Sequence, residues 1–259
     1  MAVHAVTTQP GDLSQAGWMD APIKPANCPP GLEYLTQIDQ VVAHQVVELL
    51  EAFVDWEGNN SYVIKNTMGQ QIYYAFEESG CCCRFWCQHH RSFDINVVDN
   101  QNQTVMRLHR PFKPCSGCNV CASLGACFAE QLTVEAPPGN IIGNIQQTSA
   151  VCAFNFELQD ENGAAQLYID GPFCTCRCCA DVEFSVYSDA GKTSKVGSIT
   201  KQWSGLAKEF FTEADNFGVT FPMDLDVRMK ATMIGALFLI DFLAFENTGD
   251  DWDGDGGGE

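Results

Sequence analysis

Between residues 61 and 200 the chain repeats one unit: apolar and polar positions alternate, a polar turn follows, and the alternation resumes. Ser61–Lys65 and residues 70–76 flank Asn66, Thr67, Met68 and Gly69. Residues 92–98 and 103–108 flank a turn at 99–102. Residues 150–158 and 165–169 flank 159–163, and residues 181–187 and 194–200 flank a turn centred on Asp189, Ala190 and Gly191. β-branched and aromatic residues at period two, with turn formers between them, predict a hairpin in each case. A fifth pair lies on either side of Pro137, Pro138 and Gly139. Hairpins in series, with no comparable helical pattern between them, predict an antiparallel meander. Its edges must be hidden by closing into a barrel or by stacking as a sandwich. Residues 38–56 stay open, because Val41, Val42, Val46, Val47, Leu49 and Leu50 fit a helix by length and strands by residue type.

The C-terminal part has a different period. Residues 204–214 predict a helix with Leu206, Phe210 and Phe211 on one side. In residues 229–245 only Lys230, Thr232, Gly235 and Asp241 are not apolar, so this helix belongs in a protein core or in lipid. At ~1.5 Å per residue it reaches roughly 26 Å, short of the ~30 Å hydrocarbon core of a bilayer. Asp241 near a bilayer centre would cost about 2.5–3.5 kcal/mol. Both arguments favour a helix enclosed by protein, where flanking strands or a partner donor hold Asp241.

Composition narrows the partners. The 14 basic and 33 acidic residues give a net charge of −19 over 259 residues. Such a chain repels nucleic acid and anionic headgroups alike, so work at an anionic membrane requires a divalent cation or a covalent lipid. Residues 1–27 lack a basic start and an apolar stretch, which predicts a flexible tail and retention in the cytosol. The 14 cysteines are then reduced thiols, open to lipid or metal. Residues 28–248 form the expected domain, and 249–259, glycines and acids around Trp252, a solvated tail. No nucleotide loop, G-x-S-x-G or H-E-x-x-H occurs, and His89, His90 and His109 have no catalytic context, so hydrolytic chemistry has no support.

Residues 213–226, Glu-Ala-Asp-Asn-Phe-Gly-Val-Thr-Phe-Pro-Met-Asp-Leu-Asp, running on into 229–242, resemble the C-terminal signature of phospholipid scramblases. So do Pro29 with Gly31, Leu32, Glu33, Tyr34 and Leu35, the run from Asn66 to Tyr73, and Arg110-Pro111. Ala136-Pro137-Pro138-Gly139 and Gly171-Pro172-Phe173 extend the likeness collinearly over residues 28–249. The resemblance implies a tubby-like fold, mainly β: a closed antiparallel barrel of twelve strands around a central hydrophobic C-terminal helix. It also implies calcium-activated, ATP-independent, bidirectional movement of phospholipids between leaflets, without covalent catalysis. The location implied is the plasma membrane or another cellular membrane, with the bulk of the chain cytoplasmic. The family is also described as single-pass, so span and barrel core compete for the same helix, and its length and Asp241 favour the barrel.

The resemblance places a calcium loop at residues 213–224, with Glu213, Asp215, Phe217, Val219, Phe221 and Asp224 at ligand positions and Gly218 at the sixth. Phe217 and Phe221 offer only carbonyls, and Asp224 is shorter than the usual bidentate Glu, which predicts affinity of about 10⁻⁴–10⁻³ M. The competing reading is a turn capped by Asp215 and Asn216 with both phenylalanines in the core. Cys115, Cys118 and Cys121 align with the stretch that the family palmitoylates, and clustered acyl chains anchor far better than one. Cys81, Cys82, Cys83 and Cys87 form a second candidate. The rival chemistry is a four-thiolate zinc site from Cys115, Cys118, Cys176 and Cys179; inert buried thiols are the third alternative. Residues 197–206 correspond to a nuclear import segment of some relatives, yet Lys201 is its only basic residue, and a strand ending at Trp203 is the simpler reading. The expected partners are membrane phospholipids, especially anionic ones, and oligomerisation is one route by which such a barrel could act on a bilayer.

Overall fold

Apolar side chains turned inward and polar ones turned outward carry the chain through twelve strands. They are β1 (Gln40–Gln45), β2 (Ser61–Lys65), β3 (Gln71–Glu78), β4 (Phe93–Val98), β5 (Thr104–Arg110) and β6 (Gln131–Glu135). β7 (Ile141–Thr148), β8 (Asn155–Asp160), β9 (Ala165–Asp170), β10 (Val182–Tyr187), β11 (Lys195–Gln202) and β12 (Asn216–Thr220) complete the set. The computed structural model describes residues 17–46, 60–78, 92–112, 129–148, 154–172, 182–202 and 216–245. Each strand pairs antiparallel with its sequence neighbours, and β1 pairs with both β2 and β12, so the sheet closes and no edge is left open.

The alternation is plain along β4, where Phe93, Ile95 and Val97 are buried while Asp94 and Asn96 are partly exposed. It recurs along β8, with Phe156 and Leu158 inside and Glu157 and Gln159 outside, and along β10, with Phe184 inside and Glu183 outside. The outer wall of these strands is therefore polar. A barrel that crosses a bilayer has the opposite order, with its apolar band facing lipid.

Eight strands make a barrel that side chains can fill; twelve leave a lumen that needs a filler. Here it is helix α1 (Val227–Ala244), whose residues from Met229 to Ala244 are all buried. A helix ~10 Å across matches such a lumen. Gly235 lets the helix approach the wall: a Cβ there would stand 2.9 Å from Val134 Cγ2 and 3.2 Å from Ile145 Cδ1. Burying Leu237, Phe238, Leu239 and Ile240 contributes about 1.5–3 kcal/mol per side chain. The sequence expectation of a helix enclosed by strands is the arrangement observed. Among the described residues, no helix is long and apolar enough to cross a membrane.

Because strand direction alternates, the barrel has two unlike ends. At one, here the turn end, five of the six links are tight turns, and Asn66, Asp99, Asp160 and Asp189 each accept hydrogen bonds from backbone amides two to five residues on. The 3₁₀ turn Glu33–Gln37 plugs this end with Leu35 and Tyr34. Gly31, just before it, has φ +85°, and a Cβ there would stand 2.2 Å from Val105 Cγ1, so glycine is required twice over. Helix α1 starts at the same end, where the Asp226 carboxylate accepts from Arg228 N at 2.8 Å. The buried Lys230 donates to the carbonyls of Leu35, Ile38 and Met223 at 3.0, 2.8 and 2.8 Å. A cation at a helix N-terminus opposes the helix dipole, and three carbonyls offset that. Burial pulls Lys230 below its ordinary pKa of 10.5, against the pull of Asp39 and Asp224.

From the other end, the connection end, leave the links that join β1 to β2, β3 to β4, β5 to β6, β7 to β8, β9 to β10 and β11 to β12. Most of their residues (47–59, 79–91, 113–128, 149–153, 173–181 and 203–215) lie outside the described residues. The strand expected at 150–158 begins at Asn155, and the helix expected at 204–214 lies outside the described residues.

Candidate functional site

The connection end of the lumen carries charges that the sequence pattern hid among apolar neighbours. Arg110, the last residue of β5, and Glu130, just before β6, are both fully buried. They form a two-point ion pair, Nε to Oε2 at 2.9 Å and Nη2 to Oε1 at 2.8 Å. The guanidinium lies 4.5 Å from the Phe242 ring centroid on α1 and 5.8 Å from that of Phe93. Opposite, the Lys201 ammonium sits 4.3 Å over Phe245 and 4.9 Å over Phe217. Cations near the C-terminus of α1 suit the helix dipole and the negative faces of these rings. Asp241, the residue that argued against a membrane span, accepts a 2.6 Å hydrogen bond from the Tyr62 hydroxyl of β2. Of the two sources expected for its donor, a flanking strand or a partner, strand β2 supplies one. Beside it Asn60 donates to the buried Glu77 at 3.0 Å. Asn60, Tyr62 and Glu77, with Phe93, Ile95, Phe238 and Phe242, line a crevice with room for about one water. Among the described residues, α1 fills the lumen.

The expected calcium segment takes a different form. Residues 216–220 are strand β12, bonded to β1 on one edge and β11 on the other, instead of half of a twelve-residue loop. Phe217, Val219 and Phe221 are buried, and the ladder directs strand carbonyls sideways to neighbouring strands, not to a common point. Asp224 is exposed at the turn end, whereas the chain enters β12 at the connection end. Five strand residues span roughly 16 Å, while calcium draws its oxygens to within about 2.6 Å. One ion therefore cannot be shared between the start of β12 and Asp224 while the strand is formed. Glu213 and Asp215 lie outside the described residues. Among the described residues no group of three or more His, Cys, Asp or Glu is placed to hold a metal.

Cys115, Cys118, Cys121, Cys176 and Cys179, the lipidation and zinc candidates, lie outside the described residues, as do Cys81, Cys82, Cys83, Cys87, His89, His90 and the tail at 249–259. What the topology does place is the strand ends that carry them: of the 14 cysteines, all but Cys28 belong in sequence to links at the connection end. Cys28 itself is buried at the turn end, and burial, reinforced by Glu33, raises its thiol pKa above the ordinary 9.0. It is a packed thiol, not a reactive one. His109 sits on the outer wall, 2.8 Å from Asp94 Oδ1, which also takes Arg107. Lys201, the one basic residue of the import-like segment, is buried in β11, and Trp203 lies outside the described residues.

The comparisons with known proteins point one way. The Scramblase family matches residues 19–247. Phospholipid scramblase 2 of Bos taurus is 49% identical over 94% of this chain and 80% of its own length. Phospholipid scramblase 1 of Homo sapiens is 49% identical over 90% of this chain and 71% of its own. Phospholipid scramblase 4 of Homo sapiens keeps 37% identity over 95% of this chain and 75% of its own. Among solved structures, an X-ray structure of a protein from Arabidopsis thaliana covers 80% of this chain and 94% of its own, with a TM-score of 0.41 and 10% identity. The chain belongs to the scramblase family.

Proposed function

We propose that this protein moves phospholipids between membrane leaflets in both directions, activated by calcium and independent of ATP, and that it breaks no covalent bond. Membership of the scramblase family, over residues 19–247, carries this reading. The physical task is to lower the barrier to taking a polar headgroup through hydrocarbon, where each unsatisfied polar group costs several kcal/mol. The lumen and the polar outer wall supply no such route, so the work belongs to a membrane-disturbing surface. The connection end is the better candidate, since the links leaving it hold the cysteines and, in sequence, Phe85, Trp86, Trp203, Phe210 and Phe211. Palmitate on Cys115, Cys118 and Cys121 would hold that end at the bilayer.

Calcium would offset the net charge of −19 near anionic lipid. Its ligands would come from outside β12, with Glu213, Asp215 and the acidic tail at 250–255 available in sequence. The test is reconstitution of the acylated protein in liposomes containing phosphatidylserine and a fluorescent lipid. Calcium should expose inner-leaflet probe to an outside quencher without ATP; quenching no greater than in empty vesicles would refute transport.

The filled lumen favours one second reading, a lipid-tethered adaptor that binds membranes without moving lipid. Calcium-dependent vesicle binding with no inner-leaflet quenching selects it. A zinc-holding thiol protein, the third reading, is decided by metal analysis of the purified chain.

A further inference from the structure

A protein of net charge −19 repels its own copies, so a copy approaches most readily where the local charge is neutralised. The wall formed by β8 to β11 is such a face. There Asp170 is paired with Lys192 and Glu183 with Lys195, both pairs exposed. Across this wall the register sets one row of outward side chains. Glu157 of β8 pairs with Tyr168 of β9, Tyr168 with Tyr187 of β10, and Tyr187 with Lys195 of β11. Their sequence neighbours Phe156, Leu158, Leu167, Ile169 and Val186 belong to the lumen core, which turns the row outward. Both tyrosines are partly exposed. Among the described residues, neither tyrosine hydroxyl has a hydrogen-bond partner, and Glu157 has no ionic or hydrogen-bond partner. The row therefore reads acid, tyrosine, tyrosine, base, at even spacings of ~4.8 Å.

We infer that this row is the contact between two copies of the chain, related by a two-fold axis that runs along the strands between β9 and β10. Rotation about that axis lays Glu157 against the second copy's Lys195, Tyr168 against its Tyr187, and the reverse. A two-fold axis across the strands would instead lay each residue on its own counterpart, setting Glu157 on Glu157 and Lys195 on Lys195, which like charge opposes. An isologous contact needs a self-complementary patch of this kind. Tyrosine suits its centre, since the ring supplies apolar area and the hydroxyl a polar tip. The Lys195 ammonium has three donors, so it keeps Glu183 and also takes the second copy's Glu157. The wall is convex, which makes the contact small and weak, below about 1,200 Å² in total. An axis along the strands also points both connection ends the same way. Under the membrane role proposed above, on which this consequence rests, two tethered copies face one bilayer with the same end, and tethering raises their effective concentration.

Sedimentation equilibrium of the full-length chain in reductant, from micromolar to millimolar concentration, tests this. The native protein should pass from monomer to dimer. Glu157→Lys alone and Lys195→Glu alone each set like charges against each other twice, and each should weaken association at least about tenfold. Both changes lie on the polar outer wall, and circular dichroism checks that the barrel stands. Mixing the two variants restores both opposite-charge contacts, so the mixture should form heterodimers at native strength. A native chain that stays monomeric to millimolar concentration overturns the inference. A dimer that ignores the single changes overturns it too, as does a mixture that associates no more tightly than its parts, because the contact then lies elsewhere. The dimer is read in solution without lipid, so its failure and a failure to move phospholipid are separate results.

Discussion

At the scale of single residues, the fold keeps its charges by pairing each one inside a low-dielectric space, and the pairs are unequal. Arg110 and Glu130 form a fully buried ion pair, so Glu130→Ala takes the two-point carboxylate from a buried guanidinium and should cost about 3–5 kcal/mol. Tyr62→Phe removes one donor from Asp241 and should cost about 1–3 kcal/mol. Chemical denaturation of the two variants should rank them in that order; equal losses would mean that the ion pair is solvated. His44 adds a pH dependence. Burial holds its pKa below the ordinary 6.5, opposed by its hydrogen bond to Asn216 and aided by Lys65. The folded state then binds the proton less readily than the unfolded one, so stability is complete above about pH 6.5 and falls as the pH drops below it. His44→Gln should flatten the Tm profile on that acid side, and an unchanged slope would place the titration elsewhere. Asp241 could be marked from sequence as needing a donor. Which donor could not, because Tyr62 lies 179 residues away and only barrel closure brings them together.

At the scale of elements, local chemistry decides what was readable. The turns at 66–69, 99–102 and 189–191 carry their own Asn and Asp acceptors, so the hairpins they close were legible without the rest of the chain. β12 was not. Asn-Phe-Gly-Val-Thr has no turn partner next to it, and its two pairing strands are the first and the eleventh. A ligand template over the same residues fitted the spacing, because template positions served by carbonyls accept any side chain. The signal that could have found the strand is the β-branched, aromatic run stopped by Pro222. The apolar helix was legible as a helix; length and Asp241 favoured the barrel core over a span without deciding between them. Its fit to the wall is testable through Gly235. Gly235→Leu must push Val134, Ile145 and Leu108 aside, and overpacking of that kind costs about 1–3 kcal/mol. A helix in lipid would gain apolar surface and tolerate the change, so an unaltered melting temperature would count against the enclosed helix.

At the scale of the whole molecule, the two ends of the barrel divide the work. The turn end presents short links rich in Asp, among them Asp99, Asp160 and Asp189, whose amide partners hold Asp160 and Asp189 below the ordinary carboxylate pKa. These two carboxylates therefore stay ionised to lower pH than ordinary ones, and in the proposed membrane role this end would face away from an anionic bilayer. In sequence, the links that leave the connection end carry all the cysteines but Cys28, and the proposed acylation there bears on how the net charge of −19 is overcome. Ionic strength separates the two routes. Repulsion from anionic vesicles is screened over about 10 Å at 0.1 M salt and about 3 Å at 1 M. Protein made without acyl chains should ignore phosphatidylserine vesicles at low salt, bind when calcium bridges it to the headgroups, and be released again as added salt weakens the bridge. Acylated protein should bind more as salt rises, because screening removes the repulsion and leaves the hydrophobic anchor intact. Sedimentation of both forms with vesicles, with and without calcium, reads this directly. Binding of the unacylated chain at low salt without any divalent cation would show that its charge does not govern the approach, and the role given to calcium would have to be abandoned.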